Sequence, residues 1–329
     1  MNLREDINYS IWCDFIERDF LENQFQELIN DKIIYGATSN PAIFQQAITS
    51  SNAYTQHISM LQANSVKKIY EELVITDIKR AAELLKPMYD KNSNDGFISL
   101  EVDPTLCDDA MATIEEGSRL YSAIGYDNVM IKIPATQAGY TAMTNLTAMG
   151  INVNATLVFS HEQAKKSAEA LDKGIKQSGK DTKGVVSVFV SRFDRLLDDK
   201  LFLKGLEKHK VGIINASKCY HEVEKIDNSN IRTLFASTGV KSDDLSPTYY
   251  IDTLIYPKSI NTAPLNTISA SIKNNKKPSD IISEDQCDKY YDLLLKHNIN
   301  IDTISNQLLQ DGLGTFKISF QELLSKIKL

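Results

Sequence analysis

Cysteine is scarce in this sequence, and the cysteines present are widely separated. Only four occur in 329 residues, at positions 13, 107, 219 and 287, and no two of them form a C-x-x-C pair. This spacing excludes a disulfide-rich scaffold and a cysteine-based zinc site, and it suits free thiols in a reducing compartment. The five histidines also lack the spacing of metal ligands, so we predict no metal site.

The sequence also lacks long apolar runs and an excess of positive charge. No apolar stretch approaches membrane-spanning length, and residues 1–10 are polar and acidic rather than a basic segment followed by an apolar run. With 36 Lys and Arg against 43 Asp and Glu, the net charge is -7, and no Lys/Arg cluster resembles a nucleic-acid-binding stripe. We therefore expect a cytosolic protein that binds neither a membrane nor nucleic acid.

Short β-branched segments alternate with longer segments of helical periodicity along the chain. This repetition predicts βα units and a mostly parallel sheet. We place strands near residues 9–14, 31–37, 97–102, 128–133, 151–157, 184–190, 231–237 and 249–256. Eight such units favour an α/β fold of the closed (β/α)8 TIM-barrel type, with additional helices outside the barrel.

The hydrophobic content of 42% supplies a full core, and α/β barrels of this length often form one domain. We expect a single TIM-barrel domain over residues 1–329, with a C-terminal helical segment at about 281–329. Residues 271–280 form the clearest polar linker. Helices predicted at 284–297 and 315–328 would then pack outside the barrel.

Polar residues within the predicted strands support the barrel. In residues 98–103 and 151–157 every second side chain is polar, as expected if one face packs on outer helices and the other lines a wet mouth. A doubly wound sheet would have more uniformly apolar strands. Barrel sites lie at the C-terminal ends of the strands. The polar residues that fall there are Asp14, Asn40, Glu101, Lys132, Asn154, Thr156, Ser187, Arg192, Ser237 and Lys241.

Lys132 is the most informative of these residues, because it interrupts an otherwise apolar strand at residues 129–133. An ammonium group is costly to bury unless it is paired, and desolvation favours the neutral, nucleophilic amine. Such an amine can form a Schiff base with a ketone. The Ser-Thr-Gly-Val-Lys segment at 237–241 follows strand seven, where barrel phosphate sites are often built.

Structural roles for some of these residues remain open. Asp14 could cap a helix that starts near Phe15, and Asn40 before Pro41 resembles an N-cap with proline at the first helical position.

Ion pairs are a further alternative. Glu101 and Lys132 could form a structural ion pair across the barrel, since such networks also perturb pKa values. Arg192 could be a surface cation that pairs with Asp194 or Asp198.

Several motifs occur in an order that resembles the transaldolases. The motifs are Ala37-Thr38-Ser39-Asn40-Pro41-Ala42-Ile43-Phe44, Lys132-Ile133-Pro134-Ala135-Thr136, Asn154-Ala155-Thr156-Leu157-Val158-Phe159-Ser160, Ser187-Val188-Phe189-Val190-Ser191-Arg192 and Ala236-Ser237-Thr238-Gly239-Val240-Lys241. The similarity runs from about Trp12 to Pro264. An ordered set of this kind is far more specific than any one motif.

The resemblance implies a class I aldolase-type barrel, free of metal and other cofactors, that moves a three-carbon dihydroxyacetone unit between sugar phosphates. It implies that Lys132 forms the Schiff base and that Asp14 is the general acid/base that takes the proton from the C4 hydroxyl. Glu101 and Thr156 would handle a water that shuttles protons while the imine forms.

The resemblance also implies a set of substrate-binding residues. Asn40, Asn154 and Ser187 match positions that hold the dihydroxyacetone hydroxyls, while Arg192 and Ser237 match phosphate-binding positions.

Lys241 departs from the better-known branch, in which an arginine lies close behind the phosphate serine. Here the longer Thr238-Gly239-Val240 spacer leads to a lysine, which can bind phosphate as a point charge but lacks the bidentate fork of arginine.

The expected reaction exchanges sedoheptulose 7-phosphate and glyceraldehyde 3-phosphate with erythrose 4-phosphate and fructose 6-phosphate, in the non-oxidative pentose phosphate pathway. Two alternatives stay open. One is an aldolase that cleaves fructose 6-phosphate and releases free dihydroxyacetone. The other is a non-enzymatic sugar-phosphate-binding protein, although binding alone has no need of Lys132 beside Asp14 and Glu101.

Overall fold

A computed structural model describes residues 2–272 and 277–327 of the chain. Eight parallel strands form a closed barrel, in which each strand pairs with the next and the last pairs with the first. Helices follow the strands around the outside, which confirms the predicted (β/α)8 TIM barrel with additional helices. No helix within the described ranges is both long and apolar enough to cross a membrane.

The strands are β1 (Ser10–Cys13), β2 (Gly36–Thr38), β3 (Phe97–Glu101), β4 (Val129–Pro134), β5 (Asn152–Val158), β6 (Gly184–Phe189), β7 (Ile231–Ala236) and β8 (Ile260–Ala263). The helices are α1 (Leu3–Ile7), α2 (Arg18–Glu22), α3 (Gln24–Asn30), α4 (Pro41–Ser50), α5 (Thr55–Leu61), α6 (Val66–Lys91), α7 (Ala110–Ile124), α8 (Gln137–Ala148), α9 (His161–Ser178), α10 (Ser191–Leu203), α11 (Val211–Glu224), α12 (Tyr249–Thr253), α13 (Leu265–Ile272), α14 (Glu284–Lys296) and α15 (Ile301–Ile327).

Two of the predicted strands are wrong in position. The segment 31–37 begins with the turn that ends α3, because the amides of Ile33 and Ile34 both donate to the carbonyl of Leu28, and β2 starts only at Gly36. The segment 249–256 begins with helix α12 instead of the last strand. Its aromatic residues favour a strand locally, but the Tyr250 hydroxyl donates to Asp194 on α10 at 2.8 Å and fixes the segment in the helical layer.

Strand β8 closes the barrel further along the chain than predicted. It has only four residues and pairs in parallel with β1 from Ser10↔Ile260 to Cys13↔Ala263. Its two middle residues, Asn261 and Thr262, are polar, so a search for apolar runs passes over it.

One of the two predicted C-terminal helices is longer than predicted. Helix α14 agrees with the predicted 284–297, whereas the helix predicted at 315–328 begins already at Ile301; Lys328 lies outside the described residues. Gly312 and Gly314 obscure the helical pattern, yet Gly312 brings α15 close to the barrel, since a Cβ there would lie 3.1 Å from Leu157. Of the predicted linker 271–280, residues 273–276 lie outside the described residues, and 271–272 belong to α13.

The two ends of the barrel differ in chemistry. At the N-terminal end of the strands, the buried guanidinium of Arg232 donates to the carbonyls of Asn8, Asn94 and Lys258 at 2.7–3.1 Å. These bonds fill that end with satisfied polar groups. The polar residues predicted to carry function lie at the other end, which agrees with the usual location of barrel active sites.

Candidate active site

Lys132 lies in the middle of β4, and its side chain is buried within the barrel. Its ammonium donates a hydrogen bond to the carbonyl of Ser39 at 3.1 Å, and only 5% of the residue is exposed. Strand register aligns Glu101 with Lys132 and Lys132 with Asn154. Because residues in register point to the same side, the three side chains meet at one level of the barrel interior.

Glu101, at the end of β3, is the carboxylate closest to Lys132 that the structure records. Its Oε2 lies 4.0 Å from Nζ of Lys132 and has no hydrogen-bond partner among the described residues. Burial raises the pKa of Glu101 to about 7; the charge of Lys132 opposes this rise and that of Asp14 adds to it. A structural ion pair would satisfy both groups, whereas this carboxylate keeps an unused acceptor and titrates near neutrality.

Asp14 follows β1 and is held by a hydroxyl from the neighbouring strand. Oγ1 of Thr38 donates to Oδ1 of Asp14 at 2.6 Å, and it also lies 2.7 Å from Oγ1 of Thr262 on β8. Burial raises the pKa of Asp14, while Lys132 and the Thr38 hydrogen bond lower it. The alternative role as a helix cap is wrong, because α2 begins at Arg18 and is capped by Glu17.

Asn154 on β5 bonds to side chains of two other strands, the adjacent β6 and β3, which lies beyond β4. Its Nδ2 donates to Oγ of Ser99 at 3.0 Å, and its Oδ1 accepts from Oγ of Ser187 at 2.6 Å. The three side chains lie on β5, β3 and β6, so the chain of hydrogen bonds crosses the barrel interior. Ser99 did not emerge from the sequence, although it precedes Glu101 by two positions and therefore shares its face.

Thr156 lies two residues beyond Asn154 and faces the same side of β5. Its Oγ1 is buried and has no hydrogen-bond partner among the described residues. The next residue, Leu157, has a φ of 55°, and the pairing of β5 with β6 shifts register between Ala155 and Val158. A positive φ in leucine is a strained conformation that is often found at functional sites.

Asn40 performs the capping role that its sequence suggested. Its Oδ1 accepts a hydrogen bond from the amide of Ile43 at 3.0 Å, and Pro41 is the first residue of α4. Capping uses only the side-chain oxygen, which leaves the two N–H groups of the amide to donate elsewhere. Capping and ligand binding are therefore compatible at this residue.

Arg192 does not form the salt bridge with Asp194 or Asp198 that was an alternative to phosphate binding. Asp194 accepts from the Gly212 amide and from Tyr250, and Asp198 pairs with Nδ1 of His209 at 2.6 Å. The guanidinium of Arg192 lies 5.3 Å from the centre of the Phe189 ring, and its buried Nε has no partner among the described residues.

Ser237 and Lys241 lie next to the start of α10, which carries Arg192. Oγ of Ser237 is 3.1 Å from Oγ of Ser191, the residue immediately before Arg192. Lys241 is exposed and lines a surface cavity of about 330 Å³ with Ser191 and Arg195. Ser237 therefore contacts the residue that precedes Arg192, whereas Lys241 lies on the exposed surface.

Thr262 was also missed from the sequence, and Thr38 was noted there only as part of a motif, without a role of its own. Its contact with Asp14 becomes visible only when β2 and β8 flank β1. Within the described ranges no group of three or more His, Cys, Asp or Glu is arranged to hold a metal ion.

Replacing Thr38 tests how Asp14 is held. The Thr38 hydroxyl stabilises the charged carboxylate, so Thr38→Val should raise the pKa of Asp14 above its wild-type value. Thr38→Ser keeps the hydroxyl and should leave that pKa close to the wild-type value. NMR titration of carboxyl-labelled aspartate, with Asp14→Asn to assign the signal, measures both. Equal values in all three proteins with Asp14 intact would contradict the proposed contact.

Comparison with known proteins gives a consistent result. A family model described as transaldolase/fructose-6-phosphate aldolase matches residues 11–327. A transaldolase of Campylobacter jejuni strain RM1221 is 44% identical over 343 aligned positions, which cover 97% of this chain and 99% of the relative. A transaldolase of Helicobacter pylori strain 26695 is 45% identical over 318 positions, which cover 96% of this chain and 98% of the relative. These matches confirm the resemblance seen in the motifs, and the chain belongs to the transaldolase/fructose-6-phosphate aldolase family.

Proposed function

We propose that this protein is a transaldolase. It transfers a three-carbon dihydroxyacetone unit from sedoheptulose 7-phosphate to glyceraldehyde 3-phosphate, giving erythrose 4-phosphate and fructose 6-phosphate in the non-oxidative pentose phosphate pathway. The observation that carries the proposal is the buried amine of Lys132, 4.0 Å from a carboxylate that has a spare acceptor. The full-length similarity to proteins named transaldolase supports it.

Imine formation is the first step. The neutral amine of Lys132 attacks the ketone of the donor sugar, and the resulting carbinolamine loses water to give an iminium ion. A proton must leave nitrogen and another must reach the departing hydroxyl. Glu101 suits this exchange because its pKa of about 7 allows both forms near neutral pH. The unpartnered hydroxyl of Thr156 can hold a water that carries the proton.

Cleavage of the carbon–carbon bond follows. The positive iminium draws the electron pair of the C3–C4 bond, which becomes an enamine on the lysine, while the C4 hydroxyl loses its proton to form an aldehyde. Asp14 is the base in our proposal. The hydrogen bond from Thr38 fixes its carboxylate in position, and burial makes it a better proton acceptor than an exposed aspartate.

The enamine must be retained until an acceptor aldehyde arrives. Asn40, Asn154 and Ser187 are proposed to hold the hydroxyls of the three-carbon unit. The hydrogen bond between Ser187 and Asn154 already orients both side chains, so binding requires little further ordering. We propose that Arg192, Ser237 and Lys241 hold the phosphate. Arg192 and Lys241 would supply the local positive charge that an anionic group needs on a protein with a net charge of -7.

The proposed chemistry needs no metal or other cofactor, because the imine itself is the electron sink. We also propose that the chain acts as one domain in the cytosol. Contact of Gly312 on α15 with Leu157 on β5 supports a single unit, since the C-terminal helix packs directly on the barrel.

Reductive trapping tests the assignment of Lys132. Borohydride in the presence of fructose 6-phosphate should add a dihydroxyacetone-derived mass to the peptide that contains Lys132, because reduction converts the imine at that amine into a stable secondary amine. Lys132→Arg should fold and be inactive, since a guanidinium does not form the imine. Peptide mass mapping and circular dichroism check these outcomes. A trapped mass on another lysine would contradict the assignment.

The same protein separates transaldolase from the two alternatives. A transaldolase yields little free dihydroxyacetone and forms sedoheptulose 7-phosphate when erythrose 4-phosphate is added to fructose 6-phosphate. An aldolase releases dihydroxyacetone without an acceptor, and a binding protein yields neither product nor trapped peptide. Release of free dihydroxyacetone at the rate of ketose consumption would overturn the proposal.

Substitution of Arg192 tests phosphate recognition. Arg192→Ala should lower the specificity constant for fructose 6-phosphate, but not that for fructose, because a lost charge-assisted hydrogen bond costs roughly 1.5–3 kcal/mol, or about tenfold to a hundredfold. Lys241→Ala should have a smaller effect of the same kind, since its ammonium is exposed.

Arg80→Ala is the matched control for these variants, because Arg80 is an arginine paired with Glu22 and Glu83 on the surface. Its ratio of specificity constants should equal that of the wild type. An unchanged ratio in Arg192→Ala and Lys241→Ala would remove both residues from the phosphate site.

A further inference from the structure

The surface cavity of about 330 Å³ beside Lys241 lies between α10 and the segment that follows β7. Ser191, Arg195 and Lys241 line it together. The Ser191 amide donates to the carbonyl of Ser237 at 3.1 Å, and the two hydroxyls are also 3.1 Å apart. The cavity therefore extends to the residue that contacts Ser237. Its volume is at the lower end of the range for small-ligand sites.

Two cations of this cavity have no ion-pair partner. Lys208, which also lines it, pairs with Asp244 at 2.9 Å. By contrast, the guanidinium of Arg195 and the ammonium of Lys241 form no ion pair within the described ranges. Unpaired cations at the edge of a cavity are available to bind an anion.

The acidic residues of the cavity do not neutralise Arg195 by direct contact. They are Asp194, Asp198 and Asp199. Asp194 and Asp198 already accept hydrogen bonds from backbone amides and from other side chains. Asp199 follows Arg195 by four positions on α10, yet the two form no ion pair among the described residues.

Arg195 shares a face of α10 with Ser191 and Arg192. It follows them by four and three positions, and both spacings place side chains next to each other on a helix. Side chains of a helix also point back toward its N-terminus, which for α10 is the end that follows β6 at the barrel mouth. Burial, followed by the charge of Arg195, lowers the pKa of Arg192. An anion bound by both guanidinium groups would relieve this repulsion.

We propose that Arg195 is a further phosphate-binding residue, which contacts the phosphate of the sugar substrate together with Arg192 and Ser237. It supplies a second guanidinium to a site whose 237–241 segment ends in a lysine. A guanidinium binds phosphate through two parallel hydrogen bonds, whereas an ammonium acts as a point charge. The inference rests on the proposed function, in which Arg192 and Ser237 hold this phosphate.

The test compares the specificity constants for fructose 6-phosphate and fructose in the wild type and in Arg195→Gln. The variant should fold, because Arg195 is exposed and unpaired within the described ranges. Its specificity constant should fall about tenfold for fructose 6-phosphate and stay unchanged for fructose, since only the former offers a phosphate. Arg195→Lys keeps the charge without the fork, so its value should lie between those of Arg195→Gln and the wild type.

Lys200→Gln is the matched control. Lys200 is exposed on the same helix and its replacement removes the same charge, but it does not line the cavity. Its ratio of specificity constants should equal that of the wild type. Equal losses in Lys200→Gln and Arg195→Gln would indicate a general effect of net charge and would overturn the inference.

Inorganic phosphate provides a second measurement, as a competitive inhibitor against fructose 6-phosphate. Its inhibition constant should rise about tenfold in Arg195→Gln and stay unchanged in Lys200→Gln. A wild-type ratio and inhibition constant in Arg195→Gln, with Lys132 still trapped by borohydride, would overturn this inference and leave the proposed function intact. No trapped adduct in the wild type would overturn both.

Discussion

The burial of one ammonium and two carboxylates inside a closed barrel is the constraint on which the rest of this structure depends. The side chains of Lys132 and Glu101 are 6% and 3% exposed, with their charged atoms 4.0 Å apart, and desolvating such groups costs several kcal/mol each before compensation. The attraction between the two charges offsets only part of this desolvation cost, since the pKa of Glu101 still rises to about 7. Glu101 is therefore able to exchange a proton near neutral pH, as its proposed role in imine formation requires.

Two chains of hydrogen bonds hold the polar lining around these charges. One runs from Thr262 through Thr38 to Asp14, and the other joins Ser187, Asn154 and Ser99 across three strands. Both join strands whose positions around the barrel are set by its closure. The opposite end of the barrel is filled by Arg232 and its carbonyl acceptors. The N-terminal ends of the strands thus carry stabilising hydrogen bonds, and the C-terminal ends carry the proposed active site.

The fold was predictable from sequence because short β-branched segments, some with a polar residue at every second position, alternate with longer segments of helical periodicity. Prediction failed where local preference and tertiary packing disagree, as at 31–37 and 249–256, and where β8 is too short and polar to stand out. Lys132 could be identified because a charge within an apolar strand is conspicuous. Thr38 and Ser99 could not, because their roles come from contacts with residues 24 and 55 positions away in the chain. Such contacts exist only once the barrel has closed.

Direct titration of Glu101 by infrared difference spectroscopy tests the central claim, with Glu101→Gln to assign the carboxyl signal. The account predicts that Glu101 is half protonated near pH 7 in the wild type. In Lys132→Met its pKa should rise further, because the ammonium that favours the carboxylate is gone. A Glu101 that titrates in the usual range of an exposed glutamate, with the same value in Lys132→Met, would contradict the account.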